Sequence, residues 1–253
     1  MRFYEFEAKA LLGKAGVPVA KGGTATSADE AARIAASVGG EVVLKSQVLS
    51  GGRMKAGGVK FAATPDEARA AAEHILKLEI GGQMPRCVLI DSKQPVKKEY
   101  YAGVIYDAVA KLPVAIFSDM GGIDIEEVAE KDPEHVARVH FSTFQPLQEF
   151  KFKELVASLG ISGNELNQLS RIIARLAKAF LTYGLTLAEI NPLAQLEDGS
   201  FIALDSHCDM EEEARDQQSA VLDELGIGRE ETRLARQPTD FEMRGAEVDA
   251  SDH

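Results

Sequence analysis

Two cysteines in 253 residues are too few for a disulfide framework. Cys87 and Cys208 stand far apart and Cys87 lies in an apolar run, so buried thiols are expected. No cysteine–histidine spacing suits zinc, and the histidines are scattered at positions 74, 135, 140, 207 and 253. No apolar run approaches the ~18 residues of a membrane-crossing helix. The start, Met1-Arg-Phe-Tyr-Glu-Phe-Glu7, lacks a signal-peptide core, so a cytoplasmic chain without a membrane partner is expected. An extended basic face is also missing. With a formal net charge of -12, nucleic acid is a poor partner.

Acid is itself missing from one stretch. Between Val42 and Pro65 there is no Asp or Glu, although the chain as a whole is acidic. An apolar run ends there in Lys45, and the loop Gly51-Gly-Arg-Met-Lys-Ala-Gly-Gly58 carries two more cations, Arg53 and Lys55. Glycine lets backbone N–H groups approach an anion, and Lys and Arg neutralise its charge. The pattern points to phosphate binding, with a solvated hairpin as the alternative. It is neither a P-loop, which needs Gly-Lys-Ser/Thr, nor a dinucleotide fingerprint. Charge concentrates at the other end, where Asp209 to His253 hold 14 acids against 5 arginines. That region reads as a peripheral helical segment followed by a linker or tail.

Helix and strand signals alternate between these extremes. Tyr4–Lys14 reads as a helix with Phe6, Ala10 and Leu11 inward. Ser27-Ala-Asp-Glu30 is a capping box opening a helix to Val38, and Thr64-Pro-Asp-Glu67 opens another. Strands are expected at 42–44, 58–62, 87–90 and 100–110, the last pairing with 114–117 across Lys111-Leu-Pro113. Ser162-Gly-Asn-Glu165 is a third capping box, leading a helix whose apolar stripe runs Leu166, Leu169, Ile172, Ile173, Leu176, Phe180. A strand at 185–190 follows, and Asp198-Gly199 marks a hairpin between 194–196 and 201–204. Hairpins mixed with helices argue for an α+β fold with antiparallel sheets.

A second constellation is Ala188-Glu-Ile-Asn-Pro-Leu193 with Leu204-Asp205. Pro192 holds Asn191 extended, and a period of two puts Glu189 and Asn191 on one face. Oxygen-only side chains suit magnesium, which takes one or two carboxylates plus substrate phosphates. A turn asparagine and a strand-end aspartate are the plainer reading.

Taken in order, Lys45-x-Gln47, Gly51–Val59, Gly121-Gly-Ile-Asp-Ile-Glu126, Glu189-Ile-Asn-Pro-Leu193, Leu204-Asp205 and Arg236-Gln-Pro238 resemble the ATP-grasp portion of succinyl-CoA synthetase β subunits. Phe3–Leu12 and Gly16-Val-Pro-Val19 resemble the start of that subunit. The resemblance implies two subdomains clasping a nucleotide: residues 1–20 with 97–234 as the larger and 21–96 as a lid, with 235–253 a linker toward a flavodoxin-like domain. It also implies that Lys45 and the Gly52, Arg53 and Met54 segment contact phosphates. By the same resemblance, Asp91 to Gln94 hold the base, Glu99 the ribose, and Asn191 and Asp205 a magnesium ion.

ATP is the implied nucleotide, with GTP left open. The implied reaction forms acyl-CoA from a carboxylate and CoA through a phosphohistidine, which belongs to a partner α subunit. None of this chain's histidines fits that role. Met54 stands where the family usually has glycine, Asp91 where it has glutamate, and Ser206-His207 where succinate enzymes have Gly-Lys. ATP-citrate lyase and citryl-CoA synthetase share a larger residue between Arg and Lys, so succinate, malate and citrate all remain open. The chain is expected to be either a truncated piece or a separately encoded half. A non-catalytic nucleotide-binding module and an ATP-grasp carboxylate–amine ligase are the competing readings.

Overall fold

The computed structural model describes residues 1–228 together with Glu231, Arg233 and Arg244. The Arg236-Gln-Pro238 motif and the expected linker at 235–253 lie outside the described residues.

The first helix, α1 (Glu5–Lys14), is followed by β1 (Gly22–Ala25), α2 (Ala28–Val38), β2 (Val42–Ser46), β3 (Val59–Ala62), α3 (Pro65–Ile75) and β4 (Val88–Ser92). Then come β5 (Val96–Asp107), β6 (Leu112–Ser118), α4 (Ile125–Lys131), β7 (Val136–His140), α5 (Glu149–Ala157) and α6 (Gly163–Thr182). The last elements are β8 (Leu185–Leu196), β9 (Phe201–Ala203), β10 (Ser206–Met210) and α7 (Ser219–Glu224). The chain divides into two compact units, one built from Phe3–Gly23 with Asp91–Glu231 and the other from Thr24–Ile90.

In the smaller unit the strands run in the order β1-β4-β2-β3, with β2 and β3 antiparallel. Helices α2 and α3 start where their side chains dictate: Ser27 Oγ accepts from Glu30 N at 3.3 Å, and Thr64 Oγ1 from Glu67 N at 3.2 Å. Each cap satisfies an N–H that has no partner within the helix. Both helices bury small residues, Ala31, Ala35, Ala68 and Ala72, against Val42, Leu44, Val88 and Ile90. The alanines let helix backbones come close to the sheet, so one face of the sheet is sealed.

In the larger unit the order is β10-β8-β5-β6-β7, with β9 beside β8 and every pairing antiparallel. Helix α6 lays Leu169, Ile172, Ile173, Leu176 and Phe180 into a core with Tyr100, Phe117, Phe152 and Ile190. Full burial of one such side chain stabilises by roughly 1.5–3 kcal/mol.

Several expectations are corrected. In α1, Ala10 is exposed and Phe6 only half-buried, while Glu7 is buried because its carboxylate accepts from Tyr4 N at 2.9 Å. Ser162 makes no side-chain cap, since the chain enters α6 through Gly163 at φ +67. Glu165 accepts instead from the Tyr100 hydroxyl, whose ionisation burial opposes. The hairpin turn falls at 108–111 rather than 111–113, because Asp107 Oδ1 accepts from Val109 N and Ala110 N at 2.8 and 3.1 Å. The strands expected at 185–190 and 194–196 are one strand, β8, and α4, β7, α5 and β10 carried no clear sequence signal. Both cysteines are buried and neither forms a disulfide.

Candidate functional site

Alternation along β2 turns Val42 and Leu44 to the helices, which leaves Val43 and Lys45 on the opposite face. Lys45 is almost fully covered there. The glycine loop that follows is closed on itself. Ser46 N donates to Gly58 O at 2.7 Å, and Gly58 N to Arg53 O at 2.8 Å. The Arg53 guanidinium donates to Ser46 O at 3.2 Å, which uses one of its five donors and anchors it within the loop. A Cβ on Gly58 would stand 2.4 Å from Ser46 Oγ and 2.6 Å from Ile80 Cδ1, so glycine is required at that crossing. By contrast, Gly51, Gly52 and Gly57 have nothing within 4 Å of such a Cβ. Gly52 and Gly57 adopt φ of +80 and +81, and Met54 projects outward at 74% exposure. The loop is thus a closed turn with cations at its base and bare backbone at its crest.

In the other unit, Asp91 is buried in β4 and ion-paired with Lys9 of α1. A buried carboxylate is costly unless paired, and Lys9 supplies the pair. Gln94 turns its amide back onto Ser92, donating to Ser92 Oγ at 2.6 Å and Ser92 O at 3.1 Å.

Glu99, Asn191 and Asp205 are brought together through the Gly121-Gly122-Ile123 loop. Gly121 N donates to Glu99 O at 3.1 Å, and a Cβ on Gly122 would lie 2.5 Å from Glu99 Oε2. The Asn191 carboxamide bonds both ways, accepting from Gly122 N and donating to Ile123 O, each at 2.8 Å. Asn191 N donates to Asp205 O at 3.2 Å, which fixes the two candidate metal ligands side by side. The Asn191–Pro192 peptide is cis.

Glu189 and Asn191 do not share partners. Glu189 lies 3.5 Å from the Tyr101 hydroxyl and opposite His207 on β10. Burial lifts the Glu189 carboxyl above the ordinary range; His207 opposes that, while Glu126 and Asp205 add to it. Among the described residues no three His, Cys, Asp or Glu side chains group as a metal site. Asn191 and Asp205 are joined through the backbone and offer two oxygen-bearing side chains, short of a full cage. Oxygen donors that few fit magnesium carried in on a phosphorylated ligand. Lys9, Tyr101 and His207 escaped the sequence reading. Only His207 left a trace in it, as the residue departing from the Leu-Asp-Gly-Lys pattern.

The pattern of the ATP-grasp domain family matches residues 2–195. The chain belongs to the ATP-grasp family. Among curated ATP-grasp relatives, the β subunit of an ADP-forming succinate–CoA ligase of Rubrobacter xylanophilus is 40% identical over 206 residues, covering 81% of this chain and 54% of that one. A corresponding subunit of Archaeoglobus fulgidus is 39% identical over 237 residues, covering 94% and 62%. The chain thus spans a little over half the length of these relatives. Among solved structures, ATP citrate lyase of Methanothrix soehngenii in complex with citrate and coenzyme A superposes with a TM-score of 0.69 at 21% identity, covering 99% of this chain and 60% of that one. An acetyl-coenzyme A synthetase of Candidatus Korarchaeum cryptofilum gives 0.67 at 20% identity, covering 83% and 93%. These two share the ATP-grasp fold with this chain, and its α+β architecture of antiparallel sheets agrees.

Proposed function

We propose that this chain is the nucleotide-binding part of an ADP-forming acyl-CoA ligase, with succinate as the default acid. The observation that carries the reading is its 36–40% identity to succinate–CoA ligase β subunits over most of its length. In this reading residues 21–96 are the lid subdomain and 1–20 with 97–234 the larger one. Lys45 and the backbone of Gly52, Arg53 and Met54 contact the phosphates of ATP, Asp91 and Gln94 the base, and Glu99 the ribose. The Asn191 Oδ1 bonded to Gly122 N keeps a second lone pair, so it and Asp205 can hold magnesium. The ion would offset the negative charge of the phosphates, which Asp205 would otherwise repel.

The chain offers cations and backbone N–H groups to the leaving nucleotide but no histidine fitted to accept the phosphoryl group. A partner α subunit with a phosphohistidine and a CoA site completes the proposal, as does a cytoplasmic location. No described helix is long and apolar enough to cross a membrane. Malate and citrate are the other candidate acids, and GTP the other candidate nucleotide. The test incubates the purified chain with ATP, CoA and each acid, with and without a candidate α subunit. Acyl-CoA made only in the mixture supports the reading and names the acid; steady production by the chain alone overturns it. Nucleotide binding without turnover alongside any α subunit would favour a regulatory module.

A further inference from the structure

The glycine loop does not stand alone. A second loop, from Ile80 to Cys87, brackets its first half through hydrogen bonds at nearly every residue. Gln47 N donates to Cys87 O at 3.0 Å, and Arg86 N returns the bond to Gln47 O at 2.9 Å. Leu49 N donates to the Gln83 side-chain Oε1 at 2.9 Å, and Ser50 Oγ donates to Ile80 O at 3.1 Å. The bracket holds its own shape by the reciprocal bonds between Ile80 and Gln83, at 2.9 and 3.0 Å, across Gly81 and Gly82. Gly81 adopts φ +58 and packs so close to Ser50 that a Cβ there would stand 2.8 Å from Ser50 Oγ. Among the described residues the loop beyond Ser50 shows no such bracket, and a Cβ on Gly51, Gly52 or Gly57 would meet nothing within 4 Å.

We propose that Gln83 is a positioning residue for the phosphate loop, acting through the Leu49 amide without touching the nucleotide. The proposal rests on the phosphate-binding reading above and deepens it. Backbone N–H groups recognise phosphate only when their directions are fixed, and ordering a free residue costs backbone entropy. That cost is met in advance wherever the loop is held before the ligand arrives. Gln83 supplies a side-chain acceptor to the bracket. Leu49 is buried, so its amide has no water to turn to if that acceptor goes. The crest would then inherit the freedom of residues 49 and 50.

The test compares Gln83→Leu, which removes the acceptor at similar bulk, with Gln83→Glu, which keeps one. Ser50→Ala, which removes the neighbouring bond to Ile80, carries the same test should Gln83→Leu fail to fold. Affinities of the full chain for magnesium–ATP and for AMP are measured by calorimetry, with hydrogen exchange over residues 47–57. Gln83→Leu is expected to weaken ATP about three- to tenfold, to leave AMP much less affected, and to speed exchange at 49–57. Gln83→Glu is expected to restore most of the ATP affinity. Unchanged ATP affinity in the leucine variant, or an equal loss for ATP and AMP, would overturn the proposal. A wild-type chain that binds no ATP would instead overturn the phosphate-binding reading, and this proposal with it.

Discussion

Gly51-Gly52 and Gly121-Gly122 are the same dipeptide serving opposite purposes. At Gly51 and Gly52 an added Cβ would meet nothing within 4 Å. At Gly121 it would strike the Tyr100 backbone at 2.4–2.6 Å, and at Gly122 the Glu99 carboxylate at 2.5 Å. The second pair is glycine because protein already fills the space. Among the described residues the first pair has no such packing reason, although Gly52 is held at φ +80, and open backbone beside Lys45 and Arg53 is what an incoming anion requires. Sequence shows two glycine pairs. Only their surroundings separate a packing requirement from an open stretch of backbone.

That contrast can be broken most directly at its structural end. Gly121→Ala is expected to lose about 3 kcal/mol of folding stability in denaturant titration, because backbone cannot step aside as a side-chain tip can. Gly51→Ala should stay within ~0.5 kcal/mol of wild type and lose nucleotide affinity instead. A Gly121→Ala chain as stable as wild type would end the comparison. Next in size, Lys45→Ala is expected to weaken ATP roughly ten- to a hundredfold, or ~1.5–3 kcal/mol, by calorimetry. Unchanged affinity would remove the loop from the nucleotide site.

Asp205→Ala sharpens the other side. It should abolish most of the magnesium-dependent gain in ATP affinity, a loss of about 1–2 kcal/mol. If the gain persisted, the metal would have to be held elsewhere.

The smallest effect lies away from both pairs. His135 Nδ1 sits 2.7 Å from Asp119 Oδ1, and that bond raises the imidazole's pKa above its ordinary value. A raised folded pKa stabilises in full below the unfolded value of about 6.5, and the contribution fades as pH rises through the folded value. Melting temperatures of wild type and His135→Gln should therefore differ most near pH 5.5 and converge above pH 8. A constant difference across that range would refute the pairing.

The α2 and α3 starts were legible because Ser27 and Thr64 cap through residues three positions along, a purely local device. The α6 stripe was legible for the same reason. Its start after Ser162 was legible too, but the missing cap was not, because Glu165 serves Tyr100, 65 residues away, and no local rule reports that claim on it. The glycine loop could be picked out from composition, since an acid-free, cation-bearing glycine run is unusual in an acidic chain. Its bracket could not. Gln83 looks like any turn glutamine until folding sets it against Leu49, and Lys9 looks like a solvated helix lysine until Asp91 arrives beside it. Asn191 was found as a metal candidate, but its hold on the Gly122–Ile123 backbone depends on a loop almost 70 positions away.

The burial of both thiols has a practical corollary for spectroscopy. Cys87 and Cys208 are 4% and 0% exposed, and burial pushes the Cys208 thiol far above its ordinary pKa, so maleimide reagents should pass both by in the folded chain. A cysteine introduced at Met54, on the open crest of the glycine loop, could then be labelled selectively without deleting any native residue but that one. A fluorophore there would convert loop ordering into an optical signal, readable on the timescale of nucleotide arrival.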